Sequence, residues 1–557
     1  MKPLKTSDLY LLIFYIALII ASTSCRTNSN SVAIRNKHLV EWFNSASNEV
    51  KLKEARISFL AEDYANAALI YKQLLNSSSS KKARINFKIG ECYLAMKNYA
   101  AAIDFLEKAK TENPKVHKDL NFLLGQAYHL SNKLDQAIQV LEEYANNTYK
   151  HKEEYISALA LIDQCKTAKI LMSNPVNTKI KNLGYLVNSP FEDYGPSVSA
   201  DGKILVFTSR RREVTGIGID PADGKYFEDV FLSTWNDSTN SWNKAESVRG
   251  RLNSYFHDAA LSISPDGKQI FVYRNTPGET GSGDIYVSNL TTYGRWSTPK
   301  PLTKQINTSY FESSASLSAD GNYLYFISEK RGGLGNGDIY RSKKIAEDVW
   351  GPAENLGAVI NSAEDESSVF IHPDGKTLFF SSKGHQTMGG YDIFKSVYEN
   401  GEWSKPENMG YPINTLQDDL HFVLTEDNRT AYYSTTNKDE LHERDIYEID
   451  MNNHETHALK ESLSKEGLSV LKGSVYSTDP GKAVEATVKI VNLSGKAIST
   501  AYTNTEGEYF VTLPGDMDYH MIINREAFKP LQEKVNLPLD KTNTYILVKH
   551  FQLERKL

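Results

Sequence analysis

Glu312-Ser313-Ser314-Ala315-Ser316-Leu317-Ser318-Ala319-Asp320-Gly321 is followed by Tyr325-Phe326, Gly337-Asp338-Ile339-Tyr340, Trp350-Gly351-Pro352, Leu356-Gly357 and Ile360-Asn361-Ser362. This stretch decides the fold, because the chain repeats it five times between residues 183 and 450. The turn aspartates Asp201, Asp266, Asp320, Asp374 and Asp427 (followed by Asn428 in place of Gly) are spaced 65, 54, 54 and 53 residues apart. The second aspartates, Asp229, Asp284, Asp338, Asp392 and Asp445, are spaced 55, 54, 54 and 53. Copy one therefore holds its extra residues between its two aspartates, around Arg210–Lys225. Asp-Gly between two apolar, alternating runs is a hairpin signal, since the tight turn needs a positive φ. Each copy supplies about four short strands, which is one blade of a β-propeller.

The segment Leu183-Gly184-Tyr185-Leu186-Val187-Asn188-Ser189 matches the tails of later repeats, such as Met409-Gly410 through Ile413-Asn414-Thr415, whereas the fifth repeat stops at Asp450 without its tail. The N-terminal segment is therefore expected to complete the last blade and close the ring. Five blades follow. The alternative of six would need roughly 50 further residues on this period, and the linkers 173–182 and 451–467 are too short.

Outside 183–450 the periodicity changes. Across residues 48–172, Ala55, Gly90 and Gly125 share one position; so do Tyr64, Tyr99 and Leu134; Ala67, Ala102 and Ala137; and Tyr71, Leu106 and Leu141. Every step is 35 residues. Small residues where helices cross, with large ones beside them, form the tetratricopeptide (TPR) pattern of an all-α solenoid. Glu153–Met172 is expected to cap that array with a solvating helix. From 468 to 557, short alternating runs between Pro480-Gly481, Glu506-Gly507 and Pro514-Gly515 predict a small β-sandwich.

Residues 1–24 read as a signal peptide: Lys2 and Lys5, then the apolar Leu9–Ala21, then Ser22-Thr23-Ser24 before Cys25. Small residues directly before a cysteine resemble a bacterial lipoprotein signal, which implies lipidation at Cys25, with 25–47 as a tether. Cys92 and Cys165 lie two repeats apart and are expected to be small buried hydrophobes rather than a disulfide. A net charge of −6 gives no basic excess and argues against a nucleic-acid partner.

The Ser-x-Asp-Gly and Asp-Ile-Tyr repeats resemble the TolB-like PD40 propeller family. Gly473-Ser474-Val475-Tyr476, Thr487-Val488-Lys489-Ile490 and Thr505-Glu506-Gly507 look like a carboxypeptidase regulatory-like domain. The series of lipoprotein signal, TPR repeats, propeller and sandwich is similar to OmpA-family lipoproteins of Bacteroidetes, including those of type IX secretion and gliding. That resemblance implies an outer-membrane lipoprotein partnering other envelope proteins, a β-barrel among them. The sequence stops at Leu557, short of the family's peptidoglycan-binding domain, so direct peptidoglycan binding is not expected. The mature start, Cys25 to Ser31, lacks acids, which implies the periplasmic face.

Eight residues before each turn aspartate stands an acid: Asp193, Asp258, Glu312, Glu366 and Asp419. Such a ring could line a channel mouth and hold a cation. The structural alternative is a carboxylate at each strand entrance, bonded to backbone N–H groups or to a base such as Arg210, Arg274 or Lys330. Gly332-Gly333-Leu334-Gly335-Asn336-Gly337 lacks the helix and Lys-Ser/Thr pair of a phosphate loop and reads as a hairpin loop. The His-x-x-Glu pairs His38–Glu41 and His151–Glu154 lack a third ligand. No catalytic motif is present, and no cofactor or metal is expected. A non-enzymatic scaffold is the first functional reading; a glycan- or peptide-binding, even hydrolytic, propeller is the second.

Overall fold

A computed structural model describes residues 46–556, except 78–80, 150–151, 216–218, 221–222, 275–282, 347, 427, 437–443, 453–467, 479–481, 485, 494–496, 504–506, 515–516 and 539–544. Two compact units meet at residue 120. In the first, helices α1 (Asn48–Leu60), α2 (Tyr64–Ser77), α3 (Lys82–Ala95) and α4 (Tyr99–Glu112) form antiparallel pairs. Ser47 and Asn98 cap α1 and α4 by accepting from Val50 N and Ala101 N. The three-residue turns Ala61–Asp63 and Met96–Asn98 each place one residue, Glu62 or Lys97, at positive φ. A Cβ on Gly90 would meet Leu106 at 2.6 Å. The 35-residue pattern is thus a packing rule: a small residue stands where the paired helices cross, and at Gly90 even one added Cβ would force Leu106 to shift. Ala55, Ala67, Tyr71, Leu74, Ile85 and Cys92 share one buried core.

Helix α5 (Leu120–Leu130) leads into the second unit, with α6 (Leu134–Asn146) and α7 (Glu153–Ser173). Gly125 repeats the close approach against Leu141, at 2.5 Å. Helix α7 is not the expected solvating cap. It buries Leu161, Ile162, Cys165, Ala168 and Leu171, and Gln164 donates to Thr387 Oγ1 at 3.3 Å. His129 lies 2.9 Å from the Met388 carbonyl, and burial pushes its pKa down. Cys92 and Cys165 are free and buried, and burial pushes both thiols up to about 12.

Five antiparallel sheets follow among the described residues. Their inner strands are Asp193–Val198, Asp258–Ile263, Glu312–Leu317, Glu366–Ile371 and Leu420–Leu424. Each inner strand contacts the next, and the fifth contacts the first, so the sheets form a closed ring. The Asp-Gly glycines 202, 267, 321 and 375 take φ of 69–70°, and Asn428 holds the same turn in copy five at 59°. Asp427 itself lies outside the described residues.

The closing strand corrects the sequence boundary. Lys179–Asn182, read as linker, pairs antiparallel with Tyr447–Asp450 of the fifth sheet. With one apolar residue in four, a short outer strand is indistinguishable from a polar linker until its partner is placed. The chain ends in two four-stranded sheets, one built on Leu468–Ser477 and the other on Thr487–Asn492. Leu471, Val475, Tyr509 and Phe551 from the first meet Val488, Ile490, Met521 and Val535 from the second in one core.

Candidate functional site

Four repeat acids begin the inner strands and the fifth, Asp419, immediately precedes its strand; all are buried, Asp193, Asp258, Glu312 and Asp419 at 0% exposure and Glu366 at 2%. Each accepts from the Ser or Thr four residues before it. Ser189 and Ser254 serve Asp193 and Asp258, Thr308 serves Glu312, and Ser362 and Thr415 serve Glu366 and Asp419. The residue before that hydroxyl is always asparagine. Asn361 Nδ2 donates to the Ile339 carbonyl at 3.0 Å, and its Oδ1 accepts from Ile339 N at 2.8 Å. Asn253 does the same to Val230, Asn307 to Ile285 and Asn414 to Ile393. Asn188 does it to Ile446, which joins the first sheet to the fifth.

Asn-Ser/Thr-x-x-x-acid is therefore one latch. The asparagine side chain extends the third strand of one sheet, and the acid starts the inner strand of the next. Sequence reasoning quoted the asparagines without giving them a role, although their spacings, 65, 54, 54 and 53, equal those of the turn aspartates.

In the second, third and fourth sheets side-chain length and the opposing residue are matched. Glu312 and Glu366 face Ser328 and Ser382, whose hydroxyls donate to them at 2.7 Å. The shorter Asp258 faces Arg274, which bonds both it and the Leu252 carbonyl. Asp193 takes its cation from Arg211, at 2.6 Å, and not from Arg210. Arg210 instead turns to the Tyr226 carbonyl and Asp223. Lys330 stays near enough to Glu312 to feel its charge, but its ammonium sits over the Tyr340 ring, 4.0 Å from the centroid.

Neighbouring carboxylates sharpen the electrostatics. Burial, opposed by hydroxyl hydrogen bonds and reinforced by Asp338, pushes Glu366 up to about 8. Burial and Asp392 push Asp419 well above the ordinary carboxylate range. Burial carries Asp392 to about 7 and Asp229 to about 6. Each of these acids of the second aspartate series faces the repeat acid of the following sheet, as Asp229 faces Asp258.

On the ring axis the small polar residues lace adjacent inner strands. Ser197 Oγ accepts from Ile263 N, Ser314 Oγ from Val369 N, Ser316 Oγ from Ile371 N and Ser368 Oγ from His421 N. Residues of all five inner strands or their turns, including Ser197, Ser262, Ser316, Phe370 and Leu424, enclose a cavity of only about 20 Å³, room for about one water. A larger open groove of about 420 Å³ lies between the first two sheets, lined by Leu232, Lys244, Val248 and Trp296.

One cluster breaks the fivefold pattern. His257 Nε2 lies 2.9 Å from Asp220 Oδ2 and its Nδ1 3.1 Å from Glu228 Oε2. Tyr194 donates to Glu228 at 2.6 Å. The hydrogen bond to Glu228 raises the His257 pKa against burial, with Asp220 adding to it. Burial pushes Glu228 up, but the bonds from His257 and Tyr194 outweigh it and hold its pKa below the ordinary value. The extra residues of copy one supply Asp220. The Gly332–Gly337 loop wraps Asp338, which accepts from Leu334 N and Gly335 N. Lys472 of the C-terminal sheets donates to the Gly333 and Leu334 carbonyls.

Cys25, His38, Glu41 and His151 lie outside the described residues. Among the described residues no group of His, Cys, Asp and Glu is arranged to hold a metal ion, and no helix is long and apolar enough to cross a membrane.

Residues 94–162 match the tetratricopeptide repeat family. No curated protein matches the chain. Among solved structures, TolB from Acinetobacter baumannii is similar at 15% identity and a TM-score of 0.29, over 57% of this chain and 65% of its own. The chain thus spans just under two thirds of that protein. A luciferin-regenerating enzyme is similar at 12% identity and a TM-score of 0.29, over 51% of this chain and 98% of its own. Chlorocatechol 1,2-dioxygenase from Pseudomonas putida is similar over 17% of this chain and 63% of its own, at 12% identity and a TM-score of 0.14.

Proposed function

We propose that this chain is a non-enzymatic, lipid-anchored scaffold for protein partners on the periplasmic face of an outer membrane. In this reading Cys25 carries the lipid and the TPR helices offer a groove. The five sheets are the blades of a PD40-type propeller, and the C-terminal sheets are a carboxypeptidase regulatory-like sandwich. Its partners are other envelope proteins of a type IX-like secretion or gliding assembly, an outer-membrane β-barrel among them.

One observation carries the reading. All five repeat acids are buried and bonded within their own latches, so the residues that the repeat preserves serve the ring rather than a substrate. The match of residues 94–162 to a repeat that builds binding grooves supports it. The second reading, a ligand-binding propeller, draws on the asymmetric cluster of Tyr194, Glu228, Asp220 and His257.

The test is quantitative pull-down from gently solubilised membranes, comparing the whole chain with a variant lacking α1–α4. The helices α5–α7 are kept because His129 and Gln164 bond the fourth sheet's loop. The scaffold reading expects the deletion to lose at least one co-purifying protein. An unchanged set of partners would contradict it.

A further inference from the structure

The latches hold the start of the third strand in the first four sheets. At the other end of that strand a turn leads to the outer strand. In the first sheet the turn reads Asp237-Ser238-Thr239-Asn240, and in the fourth Asn400-Gly401 between Glu399 and Glu402, polar or acidic throughout. The third exposes Ile345 beside Lys343 and Asp348. The second reads Leu290-Thr291-Thr292-Tyr293-Gly294-Arg295 and holds two apolar side chains out, Tyr293 at 88% exposure and Leu290 at 38%. This turn is locked by Thr291, whose hydroxyl donates to the Arg295 carbonyl at 2.7 Å and accepts from Arg295 N at 3.2 Å.

The open groove of about 420 Å³ lies beside this tip. Gly294 and Trp296 line it together with Thr234, Asn243, Lys244 and Arg249. Arg251 N donates to the Trp296 carbonyl at 3.3 Å, which brings Arg251 and Arg295 to the same rim, and Lys300 follows on the outer strand. Lys244, Arg249, Arg251, Arg295 and Lys300 are all exposed. The acids nearby are already engaged: Glu246 pairs with Arg249 at 3.1 Å and Asp237 with Lys203. The rim is thus basic on a chain whose net charge is −6.

We propose that this tip and groove seat the ring on an anionic phospholipid surface. The bases and the groove take lipid phosphate, while Tyr293 and Leu290 enter the headgroup layer. Charge complementarity identifies the anion. The convex tip favours lipid over protein. A rigid partner would need a pocket cut to an isolated tyrosine and leucine, whereas a headgroup layer deforms around them, and tyrosine is enriched at that depth. The inference rests on the membrane location proposed above but not on the Cys25 lipid, and its test leaves the lipid out so that the two can fail separately.

Flotation with vesicles of phosphatidylglycerol and phosphatidylcholine in equal parts tests it, using the chain from Arg26 onward, which keeps every described residue. Binding is expected to these vesicles and not to phosphatidylcholine alone, and it should fall with added salt. Lys244→Gln with Arg249→Gln should weaken it about 25-fold, at roughly fivefold per base. Lys376→Gln with Lys405→Gln removes two exposed bases of the fourth sheet and should leave it unchanged. Tyr293→Ser should weaken binding at low and high salt alike, whereas the groove pair should matter only at low salt. All these side chains are exposed, so the unfolding midpoints should match wild type. The proposal fails if the wild-type chain ignores the anionic vesicles, or if the two lysine and arginine pairs weaken binding equally. It also fails if the groove pair leaves vesicle binding intact but loses a co-purifying protein, which would assign the rim to an acidic protein partner.

Discussion

Glu366 offers the sharpest perturbation. It is 2% exposed, its carboxylate accepts from Ser362 and Ser382, and no Lys or Arg among the described residues bonds it. Burial holds its folded pKa at about 8, against an ordinary 4.5. The folded chain thus keeps a proton that the unfolded chain releases. Stability from this group is fully present below about pH 4.5 and is lost as pH rises through about 8. At 1.36 kcal/mol per pH unit the loss reaches about 3 kcal/mol by pH 7 and about 5 kcal/mol above pH 8. Glu366→Gln is neutral at every pH and keeps the carbonyl acceptor. Asp392, Asp229 and Asp419, also raised by burial, titrate in both chains, so the difference between chains isolates Glu366. Equilibrium urea unfolding followed by tryptophan fluorescence reads it, since five of the six tryptophans (235, 242, 296, 350 and 403) lie in the ring. The two chains should be alike at pH 5, and the variant should be the more stable by about 3–5 kcal/mol at pH 8. A variant less stable by the same amount at both pH values would refute the argument and mean that the carboxylate is ionised in the fold.

Asn188→Ala should remove the side-chain latch between the first and fifth sheets and leave the Ile446 N–H unpaired, its carbonyl keeping Leu183 N, costing about 1–3 kcal/mol in the same unfolding assay; a loss below about 0.5 kcal/mol would deny Asn188 that part. Gly90→Ala gains helix propensity of about 1 kcal/mol, yet its Cβ would meet Leu106 at 2.6 Å. A net destabilisation of about 1–3 kcal/mol is expected, and a stabilised variant would show that the helices have room to part. Cys25→Ala should leave the protein without acyl mass and move it from membrane to soluble fractions, because durable binding needs two or more chains; an unmodified Cys25 in the wild type would end the anchoring proposal.

The parts of the fold legible in the sequence are those where backbone geometry or close packing permits few residues. Asp-Gly marks each hairpin because its glycine takes a φ near 70°. Gly90 and Gly125 mark the helix crossings because leucine side chains fill the space a Cβ would need. The latch asparagines were visible as a spacing, but their partners stand 21 to 23 residues earlier, or 258 later for Asn188, on backbone that any residue supplies. No side-chain pattern records such a bond. Arg210 and Arg211 are adjacent, and only the placed backbone decides which one turns toward Asp193. The His257 cluster depends on the extra residues of copy one, whose position the aspartate spacings gave but whose path they could not.

The account's central claim is that the repeat acids hold the ring while other surfaces do the binding. Quantitative pull-down of Glu366→Gln from membranes, at expression matched to wild type, tests it most directly. The account predicts the same co-purifying proteins in the same amounts, because the neutral side chain keeps the Ser362 and Ser382 latch. Loss of a partner or of a measurable ligand from this variant, with the ring still folded, would contradict it and give the acid a place in a binding site.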